Sequence, residues 1–156
     1  MTFGTKMPEP PFKHILAIVD GTDTSRAAVE LAARLAASSK ARITAVAFVE
    51  TDTLKQLLSA KLLSEVEMAD FEAGLGESGR RQLDNAAALA AKAGVKIETA
   101  LIRGNSEEKV PQVVAERGAD LIVIGAFETR RAMRDLLARQ RMQIVDHAPC
   151  PVLVAR

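Results

Sequence analysis

Tryptophan and tyrosine are absent from this chain, phenylalanine occurs five times, and there is one cysteine. So few aromatics exclude a large aromatic recognition surface. The single thiol, Cys150, excludes an internal disulfide framework and fits a reducing cytoplasm. No apolar run approaches the roughly 18–20 residues of a membrane span. Met1–Pro11 holds Pro8, Pro10 and Pro11 but no hydrophobic signal core, and reads as a flexible leader. Excess charge is missing too: 21 basic against 20 acidic residues leave +1, so no global field favours nucleic acid or an anionic membrane. What remains is one cytoplasmic domain over residues 12–156, long enough to bury a real core.

Alanine, valine, leucine and isoleucine supply that core. His14-Ile15-Leu16-Ala17-Ile18-Val19-Asp20 is an apolar run ended by the turn signal Asp20-Gly21. Thr24 or Ser25 can cap the helix that follows, whose Ala28, Leu31, Ala32 and Leu35 fall at helical spacing. Arg42–Val49 reads as a second strand, so the opening is a βαβ unit and implies a parallel sheet. Leu54 to Met68 carries a helical stripe. Gly74, Gly76 and Gly79 read as a mobile break before a second helix from about Ser78 to Ala93, with Gly94 at its C′ position. Val95–Ile102 reads as strand three. Asn105 and Glu108 predict a capping box, and Pro111 falls early enough in that helix to be tolerated. Asp120–Gly125 is a continuous apolar strand, suited to burial on both faces. A short helix near Gln140–Asp146 and a strand from Cys150 to Ala155 close an open, mostly parallel α/β sheet with helices on both faces.

Phe12-Lys13-His14-Ile15-Leu16-Ala17-Ile18-Val19-Asp20-Gly21-Thr22 resembles the opening strand and Asp-Gly-Ser/Thr turn of the universal stress protein (UspA-like) family. Gly118–Gly125 resembles its fourth strand, and His147-Ala148-Pro149-Cys150-Pro151-Val152-Leu153-Val154 is similar to its final segment almost letter for letter. The resemblance implies an open five-stranded parallel sheet of order 3-2-1-4-5, of the adenine nucleotide alpha hydrolase-like type, and a dimer. Family members that bind ATP carry Gly-x-x-Gly-x9-Gly-Ser/Thr after strand four. Here the first glycine is Gly125, the second is replaced by Glu128, and the final pair by Ala138-Arg139.

These substitutions matter physically. Phosphate-loop glycines let backbone N–H groups approach the ligand. Glu128 removes that freedom and adds a carboxylate, and like charges about 4 Å apart cost roughly 1–4 kcal/mol near a surface. That weakens binding by about five- to several-hundred-fold. Against this stand Arg130, Arg131, Arg134, Arg139 and Arg141, whose guanidinium forks suit phosphate. The segment is therefore either a solvated loop in which Glu128 pairs with an arginine, or an altered anion site.

The sequence thus nominates a degenerate nucleotide site of Asp20, Phe48, Ile124, Gly125, Glu128 and Arg139. Asp20 matches the family aspartate that contacts nucleotide, or serves as a turn carboxylate. Phe48 is a core side chain first and a platform under adenine second. His14 and His147 lie apart without ligand spacing, so no metal is expected. No Gly-x-Ser-x-Gly, Walker lysine loop or nucleophile–base pair supports catalysis. The expectation is a non-catalytic stress-response protein without a cofactor, acting through a homodimer and protein partners. Val152, Leu153 and Val154 are its expected interface. The alternative is an ATP- or AMP-binding module, with slow hydrolysis, that uses arginines in place of the glycines. Electron transfer on a flavodoxin-like sheet lacks an aromatic-flanked flavin loop.

Overall fold

The computed structural model describes residues 9–128 and 134–156. Strands β1 (His14–Ile18), β2 (Arg42–Val49), β3 (Glu98–Arg103), β4 (Leu121–Gly125) and β5 (Val152–Ala155) form one parallel sheet in order β3-β2-β1-β4-β5. Helices α1 (Asp23–Ser39), α2 (Asp52–Ser59), α3 (Glu65–Lys92), α4 (Ser106–Arg117) and α5 (Leu136–His147) make the crossovers.

Alternation along the strands divides the core in two. Ile15, Ala17, Val123 and Leu121 face Ala28, Val29, Ala32, Leu83 and Ala86 of α1 and α3. Leu16, Ile18, Ile122 and Ile124 face Val110, Val113 and Val114 of α4 and Ile144 of α5. A strand apolar at every position has no solvent face, which is why β1 and β4 are buried throughout. At the opposite edge of the sheet from the turn, His14 explains its own burial. Its Nδ1 meets the Arg117 carbonyl at 2.9 Å and its Nε2 meets Thr44 Oγ1 at 2.8 Å.

Three local expectations need correction. The helix after β1 is capped by Thr22, whose Oγ1 accepts the Ser25 N–H at 3.1 Å, and not by Thr24 or Ser25. The last helix starts at Leu136, one turn earlier than the spacing suggests, because Asp135 caps it. Most notably, Gly74, Gly76 and Gly79 do not break a helix: all three lie inside the 28-residue α3. Gly79 has a packing reason, since a Cβ there would lie 2.6 Å from Leu101 Cδ1. Helix α3 ends where expected, with Gly94 at φ +73 and the Val95 N–H returning to the Ala90 carbonyl.

Gly74 meets nothing within 4 Å. Gly74→Ala therefore gains helix propensity without a clash and is expected to stabilise the protein by about 0.5–1 kcal/mol. A urea midpoint that falls would mean that α3 is interrupted there in solution.

Candidate functional site

The C-terminal ends of β1 and β4 lie side by side, since Ile15, Leu16 and Ala17 pair with Leu121, Ile122 and Val123. At such a point the crossovers leave in opposite directions and open a cleft. The cleft has two compartments. One, of about 160 Å³, is lined by Ile18, Asp20, Phe48 and Glu50 from the strand ends, Gly79 and Gln82 from α3, and Gln140 and Arg141 from α5. The other, of about 410 Å³, is bordered by Thr24, Ala126, Phe127, Glu128, Asp135, Ala138 and Arg141.

Leu137 and Arg141 are common to both, and Arg141 is a buried charge. It falls on the buried face of α5 with Ala138 and Ile144, and only 5% of its side chain is exposed. Nη2 donates to Asp20 Oδ2 at 2.7 Å and to Thr22 Oγ1 at 2.8 Å. Nη1 donates to Thr24 Oγ1 at 2.8 Å and to the Ala126 carbonyl at 2.7 Å. Nε is buried and has no acceptor among the described residues. The β1–α1 turn holds the receiving groups in place. Asp20 Oδ1 accepts the Thr22 N–H and hydroxyl, at 3.1 and 2.6 Å, and the Asp20 N–H donates to Ser25 Oγ at 3.1 Å.

The residues nominated by sequence are only partly brought together. Asp20 and Phe48 line the smaller compartment and Glu128 the larger. Ile124 does not reach the cleft. It is fully buried, because its side chain points into the core beneath the sheet. Gly125 is buried too, and its lack of a Cβ serves packing: one would lie 2.8 Å from the Thr24 backbone carbon. Arg139 is exposed on the first turn of α5 and borders neither compartment. Arg134 is exposed as well, while Arg130 and Arg131 lie outside the described residues. Cys150 is partly buried, and burial pushes its thiol pKa up, away from reactivity. Among the described residues no cluster of His, Cys, Asp and Glu could hold a metal, and no helix is long and apolar enough to cross a membrane.

Glu50 is the cleft residue with no sequence signal of its own. It stands just beyond β2 and accepts the Ser106 N–H at 3.1 Å, so it shares the capping of α4 with Asn105, whose Oδ1 takes the Glu107 N–H. Burial raises its carboxyl pKa, and the Ser106 bonds only partly offset this. The folded state then holds the Glu50 proton more tightly than the unfolded chain does. Stability from this group is present below the ordinary carboxylate pKa and is lost as pH rises through the raised, folded-state value. Glu50→Gln is expected to flatten the stability profile from the ordinary carboxylate pKa upward. Denaturation midpoints that keep the same slope in the variant would remove Glu50 as the source.

Known proteins share this fold. The sequence pattern described as the universal stress protein family matches residues 11–156. A putative universal stress protein of Staphylococcus aureus is 31% identical over 147 residues, covering 93% of this chain and 84% of its own. Among solved structures, a universal stress protein family member from Burkholderia pseudomallei superposes with a TM-score of 0.72 at 27% identity, covering 94% of this chain and 98% of its own. A universal stress protein in complex with cAMP shares the fold at a TM-score of 0.64 and 19% identity, covering 93% and 97%. The sheet order and the match across nearly the whole length agree, and the chain belongs to the universal stress protein family.

Proposed function

We propose that this chain is a non-catalytic stress-response protein that works as a homodimer and has lost, or strongly weakened, ATP binding. One observation carries the reading: a carboxylate of the chain itself occupies the N-terminus of α5. Asp135 Oδ1 accepts the Leu137 N–H at 3.0 Å. Free N–H groups and the positive end of the helix dipole make such a terminus the place where α/β folds hold phosphate. Here Asp135 takes one of those N–H groups, and Glu128 borders the same compartment. A polyphosphate would bring further negative charge to two carboxylates and find Ala138 in place of a glycine. One structural neighbour is a universal stress protein in complex with cAMP, and on this reading adenine nucleotides are the ligands that the present chain holds weakly.

The dimer reading rests on the sheet edge. Strand β5 lies at one edge, and its Leu153 and Val154 are exposed apolar side chains. An unguarded apolar edge is satisfied by a second copy across a two-fold axis.

Calorimetry tests the loss of ATP. Wild type is expected to bind weakly or not at all, Glu128→Gly to recover part of the affinity, and Glu128→Gly with Ala138→Gly and Arg139→Ser to bind measurably. A gain of about five- to several-hundred-fold is the scale set by removing one repelling charge. Tight wild-type binding that drops with Arg139→Ser alone would reverse the reading and make arginine the cradle.

A further inference from the structure

Arg141 lies with Leu137 between the two compartments of the cleft, and it is held by acceptors that do not come from its own helix. Asp20, Thr22 and Thr24 belong to the β1–α1 turn, and the Ala126 carbonyl to the end of β4. Each is fixed without Arg141. Thr22 Oγ1 donates to Asp20, accepts the Ser25 N–H and lies 3.2 Å from Thr24 Oγ1, so contacts within the turn orient both hydroxyls. Ala126 is set by its own N–H, which donates to the Ala155 carbonyl at 2.6 Å. Thr24 lies against Gly125, where the missing Cβ allows the turn to close on the strand.

Four acceptors converge on the four hydrogens of two terminal amino groups. A guanidinium offers those hydrogens in one plane, whereas an ammonium offers three around a point. The fifth hydrogen, on Nε, finds no acceptor among the described residues, so the terminal end of the fork is what the pocket fits. We infer that Asp20, Thr22, Thr24 and the Ala126 carbonyl form a guanidinium-binding pocket that Arg141 fills as an intramolecular ligand. Its ligand class is an alkylguanidinium, and its chemistry involves no nucleotide. When Arg141 leaves, the pocket is vacated, so the side chain competes with any guanidinium that would enter it.

The test is chemical replacement. Arg141→Ala removes the atoms of ethylguanidinium, which is therefore the probe. Added to the variant, ethylguanidinium is expected to raise the melting temperature saturably, by about 3–6 °C at roughly ten times its dissociation constant. Ethylammonium at equal concentration should do much less, wild type should not respond, and Asp20→Asn combined with Arg141→Ala should abolish the effect. Equal responses to the two cations, or a wild type that responds as strongly as the variant, would overturn the assignment. Nitrogen-15 spectra of wild type provide a second measurement, independent of whether the variant folds. A held fork gives one arginine with separate, slowly exchanging Nη protons, absent in Arg141→Lys. Rapidly averaged Nη signals for every arginine would refute the pocket.

Discussion

Asp20→Ala is expected to lower stability by about 3 kcal/mol, the scale for removing one partner of a buried ion pair. For a domain of this size each kcal/mol moves the melting temperature by about 2–4 °C, so the loss is plain in a thermal scan. The cause is asymmetric. Asp20 keeps some contact with water, its side chain being 23% exposed, while that of Arg141 is 5% exposed. Without the carboxylate, a guanidinium stays buried against two hydroxyls and one carbonyl. Arg141→Met is milder, because methionine occupies the stem's apolar surroundings and Asp20 retains its bonds from Thr22. Adding Arg141→Met to Asp20→Ala should then recover stability, since it removes the stranded charge. Strict additivity in this double-mutant cycle would mean that the pair contributes no coupling and is only a surface contact.

Leu153→Lys is expected to convert the proposed homodimer to monomer. A lysine on each copy places like charges across a two-fold axis and takes an apolar side chain out of the contact. Sedimentation at tens of micromolar reads the result directly, a range in which weak dimers still form. Persistence of the dimer would move the interface away from β5. A wild type that sediments as monomer would remove the dimer altogether.

The sheet was legible because burial leaves a simple record in sequence. Strands covered on both faces carry continuous apolar runs, as in Ile15–Ile18 and Leu121–Ile124, and the Asp20-Gly21 turn ends the first of them. Helix α3 was misread for the opposite reason. Three glycines are poor helix formers locally, but the tertiary contact of Gly79 with Leu101 and Ala47 requires a small residue, and packing overrides propensity. Of the nominated residues, Asp20, Phe48 and Glu128 border the cleft, whereas strand alternation turns the Ile124 side chain into the core.

Arg141 left a signal that was easy to pass over. Leu137, Ala138, Arg141, Ile144 and Val145 repeat at helical spacing, with one charge inside an otherwise apolar stripe. A charge in that position must find partners, and the arginine-rich run around it masks that signal. Glu50 left no comparable trace, since a carboxylate after a strand has no periodicity to break.

The order β3-β2-β1-β4-β5 has a kinetic consequence. Pairing of β1 with β2, and of β2 with β3, closes within the first two-thirds of the chain. The cleft needs the last third, because Asp20 and Arg141 are 121 residues apart. Contacts of such separation close the longest loops and come after local ones. The clamp therefore belongs to the late side of the folding barrier. Its loss would act on how fast the native protein opens, with little change in how fast it forms. Arg141 then works as a latch on lifetime, holding the second half of the sheet to the first after both have folded.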